Sequence, residues 1–535
     1  VRSRNLSELR EVVAESRGAR EVIAITNGGD DAIAQETFEQ RKTDLFRADG
    51  ETTVMAHPEV VRRGQFLGLL DAIRAWREKH GALARDDVSL GIMMPGRGTR
   101  LSPFTQREHG IKPFFPMLVR SGPEGEWLSG AEASLYTWTL VAYHLKRMGF
   151  RGMAWKWGDE PQIAANEMAA MDLDLSEADA VRFGAETVIT EDLAANKEWL
   201  YMDPETGEFK QVRRRPRTEL LARLGIEDTE EAKAFVHIGS PAFSYGFLEA
   251  AAEVFGDLDE GWIDVDGYVF EALTSDAETW AAEVARDEGL RKVLATWPDF
   301  YERVQRMKAR INEQRGRPAE APLNIQVIDF GEDLYWGDIG QLAKARASMW
   351  MVNDRTSADG AFARELAAID EVKPDRWGNL VVGDSEIPQD GSVRNSVIID
   401  TKIRGRADVD GAVLVNTEAG DVTASHGSVA YGVTALEMRL GENAYAHKSV
   451  GERVLVADHF VHTSMPADPT EVSAGLEAWR ADQREKDIGK GEMYEEPQWG
   501  NPTSFDAKRE QMRDRSVMPS QVEAQIDDLH RTPLR

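Results

Sequence analysis

Apolar positions along this chain change their spacing several times, and each change marks a different kind of element. In GQFLGLLDAIRAWREKHG, Leu67, Leu70, Ile73 and Trp76 recur at three-residue steps on one face until Gly81 stops the pattern. Together with the polar, helically spaced start VRSRNLSELREVVAESRG, this predicts a helical N-terminal region over residues 1–90, acting as a cap or partner-binding layer. From about residue 88 short apolar runs take over. VSLGIMMPG ends in Pro and Gly, and LSGAEASLYTWTLVAYHLKRMGF follows as an amphipathic helix. Ser129 and Glu132 stand at capping-box spacing there, and Leu135, Trp138, Val141, Leu145 and Met148 form the buried stripe. GMAWKWGD reads as the next strand. Strand, glycine loop, helix, strand is the order of an α/β nucleotide-binding layer. EWLYMDPETGEFKQVRRR reads as a hairpin turning at Asp203 to Gly207, and AFVHIGS and NIQVIDF as further strands of a mixed sheet.

Beyond about residue 375 the period becomes six. Val397, Ile403, Val409 and Val415 recur at that interval, and four positions after each stand Thr401, Ala407, Val413 and Ala419. A coil with six-residue sides points one aliphatic residue inward per side and admits only a small or branched residue at its second inward position. The stretch 373–465 is therefore expected to form a hexapeptide-repeat β-helix, which leaves open a homo-oligomer through that β-helix. Residues 466–535 are polar and read as a helical or loosely ordered tail.

Composition narrows the function classes. At 535 residues the chain is expected to hold two or three domains, and 42% hydrophobic with 29% charged residues is ordinary for a globular protein. A formal charge of −29 argues against nucleic acid and anionic membranes as partners. No run approaches the roughly 20 apolar residues of a membrane span, so a cytoplasmic location is expected. Without cysteine, any metal site must use oxygen or imidazole ligands.

Against that acidic background, MMPGRGTRLSPFTQREHGIKPFFPM gathers Arg97, Arg100, Arg107 and Lys112. Between a strand and a helix, Gly96 and Gly98 let the backbone approach a bulky anion and offer consecutive N–H groups to phosphate oxygens. Gly96, Gly98, Thr99, Arg100, Leu101, Pro103 and Thr105, followed by Lys112, Pro113 and Pro116, resemble the signature of the sugar-1-phosphate nucleotidyltransferases. That family joins a nucleoside triphosphate to a sugar 1-phosphate and releases pyrophosphate. The resemblance runs in family order from about 91 to 350, with Pro95 standing where the family usually has another glycine.

The resemblance implies a Rossmann-like mixed-sheet catalytic domain over 91–372, with the β-helix behind it. It implies that Arg100 binds the leaving pyrophosphate and Lys112 the α-phosphate, with Gly96, Gly98 and Thr99 at the nucleotide. It also implies magnesium on two aspartates: Asp338 in LYWGDIGQLAKA, and Asp159 in AWKWGDEPQIAA. In an alternative alignment the second segment is the base-binding strand, with Gln162 on the base. Arg215 in QVRRRPRTE, assisted by Arg213 and Arg217, and Gly239 in FVHIGSPAF fall where the family binds the sugar phosphate and the sugar. Two other classes stay open. One is a hexapeptide-repeat acyltransferase using His426 or His447 as general base. The other is a nucleotidyltransferase-like protein that binds without turnover.

Overall fold

The computed structural model describes residues 1–256, 261–263 and 268–531. The chain forms two compact units, each discontinuous in sequence: Val1–Pro95 with Ser134–Trp336, and Gly96–Ala133 with Gly337–Arg535.

The first unit is built on a mixed sheet. Its parallel part runs Thr53–Glu59, Glu21–Asn27, Val88–Met93, Gly152–Trp157. Ala242–Ser244 pairs antiparallel with both Gly152–Trp157 and Ala180–Val188. Lys233–His237 continues antiparallel along Ala180–Val188, and Ile325–Asp329 joins that strand in parallel. The expected hairpin forms the far edge, Phe209–Val212 on Trp199–Met202, with its turn closed by Gly207 N–H donating to Asp203 C=O at 2.8 Å.

The expectation of a helical region over 1–90 is overturned. Helices Arg2–Ala14, Asp31–Leu45 and Gly64–His80 alternate there with strands Glu21–Asn27 and Thr53–Glu59, which pair from Glu21↔Thr53 to Asn27↔Glu59. Both faces of Glu21–Asn27 are covered, with all five interior residues buried. The strand therefore lacks the apolar–polar alternation by which a half-exposed strand is recognised. These two strands also set the topology. The chain steps outward from Glu21–Asn27 to Thr53–Glu59, then returns to place Val88–Met93 on the other side. That reversal is a topological switch point of the sheet.

Helix Gly130–Arg147 opens with the expected reciprocal cap: Ser129 N–H donates to Glu132 Oε2 at 2.7 Å and Glu132 N–H to Ser129 Oγ at 3.4 Å. Its expected stripe is buried, but so is every residue from Ala131 to Ala142. Trp138 packs edge-on against Phe183, with ring centres 5.1 Å apart.

In the second unit, parallel strands stack in ladders. One holds Leu380–Val382, Val397–Ile399, Val413–Val415, Val429–Tyr431, Tyr445–His447 and Phe460–Pro466. Val397 stands beside Val413, then Val429, Tyr445 and Val461, a step of sixteen residues per level that falls short of three full hexads. All eight residues of the six-residue pattern are buried. Ile403, Ala407, Val409 and Ala419 lie in the interior cluster, but on the Val397 ladder the inner positions are Ile398, Leu414, Ala430 and Ala446. The phase of VII and VLV is thus opposite to the one expected, because three successive apolar residues give no alternation to read. The outer side of that ladder carries helix Leu342–Trp350, through Trp350 Nε1–H to Gly411 C=O at 2.9 Å and Arg346 to Gly427 C=O at 2.8 Å. Residues after Pro466 are built in: Leu476–Asp482 pairs antiparallel with Phe460–Pro466, and Trp479 and Phe505 are buried.

Candidate functional site

Within the second unit, the glycine loop is held in one shape by several independent constraints. Gly98 lies at φ +61°, and a Cβ there would stand 2.6 Å from Lys112 Cβ and 2.7 Å from Thr105 Oγ1, so only glycine fits. The Thr105 hydroxyl donates to Gly98 C=O at 2.7 Å, and Leu101 N–H reaches the same carbonyl at 3.0 Å. Further along, Phe104 and Phe115 stack at 5.5 Å and both contact His447 at 4.9 Å. Among the described residues, the backbone N–H groups of Arg97, Gly98, Thr99 and Arg100 donate to no acceptor. Consecutive unbonded N–H groups in a tight loop are a ready anion cradle.

Three of the expected site residues meet at this loop. The position of a Gly340 Cβ would be 3.7 Å from Lys112 Nζ, 3.8 Å from Arg100 Nη2 and 2.9 Å from Asp338 Oδ1. Arg100 is exposed. The Asp338 carboxylate accepts the Gly340 N–H at 2.7 Å and pairs with Lys344, a cation the sequence reading missed. Burial raises the Asp338 pKa, but Lys344, the Gly340 N–H and the Lys112 charge outweigh it and hold the group below the usual range. Among the described residues no group of three His, Asp or Glu side chains is placed to hold a metal ion.

The loop is secured further along by Glu108, which accepts from His447 Nε2 and Lys448 Nζ, both at 2.7 Å. Burial acts to raise the Glu108 pKa, but Lys448 and His447 bring it down to about 2. His447 itself is fully buried and is pushed down to about 4. It therefore serves as a buried strut beneath the loop. His426 is exposed, with its ring edge-on to Trp350 at 5.3 Å.

No family model matches the chain, and no curated protein matches it.

In the first unit, the carboxyl end of Gly152–Trp157 carries a residue the sequence reading did not single out. Lys156 is fully buried. It donates to Gln162 Oε1 at 2.7 Å and Ser240 Oγ at 3.3 Å, and its Nζ lies 4.5 Å from the centre of the Trp138 ring. Burial lowers it to about 7, against the raising effect of Glu160 and Asp159. Gln162 is correspondingly enclosed: it is buried, and its amide also donates to Ile238 C=O at 2.9 Å. Gly239, at φ +79°, sits in the break between Lys233–His237 and Ala242–Ser244 against the Trp157 indole. A lone lysine at the end of an apolar strand gives no sequence signal of its own. The cluster exists only because the chain returns at Gln162 and Ser240.

Arg215 lines a cavity of about 460 Å³ with Arg213, Arg214, Glu198 and Glu283. Its guanidinium is engaged by Glu283 at 3.0 and 3.1 Å, by Glu219 at 3.4 Å and by Arg213 C=O at 3.1 Å. Arg213 pairs with Asp287 at 2.6 Å, and Arg217 with Asp228 and two carbonyls. Arg214 is exposed and donates no hydrogen bond among the described residues, which makes it the freer anion ligand. Nearby, Glu271 is 2% exposed, its Oε2 accepts no hydrogen bond, and Arg213 is 3.9 Å away. Burial and Glu283 push its pKa up to about 8.

Folded Glu271 thus keeps a proton that the unfolded chain loses near 4.5, so it costs stability as pH rises from about 4.5 to 8. Glu271→Gln is expected to be close to neutral at pH 5 and stabilising at pH 8.5 in urea unfolding. An equal effect at both values would show that the carboxyl titrates normally.

Proposed function

We propose that this chain transfers a nucleotidyl group from a nucleoside triphosphate to a sugar 1-phosphate, giving a nucleotide sugar and pyrophosphate, and that it is related to the sugar-1-phosphate nucleotidyltransferases. The observation that carries this reading is the glycine loop: four consecutive unbonded N–H groups beside Arg100 and Lys112 in a chain of formal charge −29. Such a cradle suits in-line displacement at phosphorus, which needs orientation and charge neutralisation rather than a nucleophilic side chain. The N–H groups would orient the phosphates. Arg100 would neutralise the departing pyrophosphate through its fork of donors, and Lys112 would stabilise charge at the attacked α-phosphate.

Magnesium belongs to this reading, with Asp338 and Asp159 the carboxylates that the resemblance implies for it. A magnesium ion takes one or two carboxylates and completes its shell with water and substrate phosphates. The Lys344 ammonium now occupies the Asp338 carboxylate, and no step above is routed through the ion. The finer fold assignments belong to the same reading: a Rossmann-like catalytic sheet and a β-helix made of the stacked ladders. Sixteen-residue levels give that β-helix shorter sides than pure hexads. Among the described residues no helix is long and apolar enough to cross a membrane.

Binding without turnover is the second reading. It is favoured by the engagement of Arg215 with Glu283 and of Gln162 with Lys156 and Ile238. One experiment separates the two: each nucleoside triphosphate is incubated with a panel of sugar 1-phosphates and magnesium, and pyrophosphate is measured. Release with at least one pair, lost in chelator, is the result expected of the enzyme. Thermal stabilisation by a triphosphate with no release under any condition selects the binding protein.

A further inference from the structure

The loop is not walled by its own segment alone. A Cβ on Gly489 would stand 2.5 Å from Thr99 Oγ1, 3.0 Å from Thr99 Cβ and 3.1 Å from the Arg100 nitrogen. The first approach is closer than a methyl group tolerates and the other two are tight, so the Gly489 backbone lies directly on the stretch whose N–H groups are unbonded. The contact is held from both sides. Arg97 ion-pairs with Asp506 and stands 5.6 Å from the Tyr494 ring. Gln106 Nε2 donates to Phe505 C=O at 3.0 Å, Arg107 Nη2 reaches Glu523 Oε2 at 2.8 Å, and His109 meets the same carboxylate at 2.9 Å. Lys490 N–H closes back on Asp487 C=O at 2.8 Å, which makes Asp487–Lys490 a turn.

We propose that this C-terminal turn, around Gly489, is the outer wall of the phosphate cradle. A phosphoanhydride chain bound at the Arg100 N–H would be bordered on its far side by the Gly489 backbone, so ligand, loop and turn order together. Glycine at 489 is then a specificity device. It lets two segments nearly four hundred residues apart close to backbone distance, and any side chain would hold the turn off the loop. The inference rests on the phosphate reading of the loop and adds to it a second, distant segment.

The test uses the full chain and inorganic pyrophosphate as probe. Hydrogen exchange read by mass spectrometry, with and without pyrophosphate, is expected to show protection in peptides covering both 96–101 and 485–491. Protection confined to 96–101 overturns the proposal and leaves the phosphate reading standing. Protection in neither segment rejects both. In a second measurement, Gly489→Val is expected to weaken pyrophosphate binding at least tenfold in protein that circular dichroism shows to be folded, and wild-type affinity in that variant overturns the proposal.

Discussion

Replacing Arg100 or Lys112 by alanine is expected to lower turnover about a hundredfold while leaving the protein folded. A clamp on transition-state charge contributes on the order of 3 kcal/mol. Surface substitutions away from core features change stability by less than about 0.5 kcal/mol. Arg100 is exposed, and Lys112→Ala keeps the Cβ that packs at Gly98, so neither change opens a cavity. The two variants should differ in kind. Loss of Arg100 should mainly weaken pyrophosphate binding in the reverse reaction, and loss of Lys112 should mainly slow the chemical step in both directions. Rates near wild type in either variant would reduce the loop to a tight turn.

The second large effect belongs to Lys156. Its pKa falls from 10.5 to about 7 on burial, so between those values the unfolded chain holds a proton that the folded chain lacks. Raising pH through that window therefore favours the folded state. Below about 7 both states are charged and the full burial penalty is present. The stability of the wild type relative to Lys156→Met should accordingly rise by roughly 1 kcal/mol per pH unit between about pH 7 and 10. The variant also leaves Gln162 Oε1 and Ser240 Oγ without their donor. That cost does not depend on pH, so the slope is the diagnostic quantity rather than the offset. Urea unfolding of both proteins at pH 7, 8 and 9 measures it, and a constant difference would mean that Lys156 titrates as an ordinary surface lysine.

What could be read from the chain alone follows the range of the interactions involved. The reciprocal cap of Ser129 and Glu132, the hairpin turning at Asp203 to Gly207 and the strand–loop order around Val88–Met93 depend on contacts a few residues apart, and all are present. Gly98 is likewise legible, because a positive φ and a tight packing position both exclude every other residue type. Burial on both faces removed the strand signal from Glu21–Asn27, and three successive apolar residues hid which side of Val397–Ile399 faces inward.

The candidate site divides in the same way. Arg100, Lys112 and Asp338 were expected at the site from the resemblance of their motifs, and they do meet around Gly340. What each side chain is free to do was decided only by the fold. Arg215 is engaged by Glu283, sixty-eight residues away, and Gln162 by Lys156 and Ile238. Asp338 is engaged by Lys344, and Gly489 is brought onto Thr99 from the far end of the chain. Charge, turn geometry and short-range periodicity are local properties and are therefore written in the sequence. Whether a guanidinium or carboxylate is still open to a ligand depends on which distant partner reaches it first, and that is settled only when the tertiary structure forms.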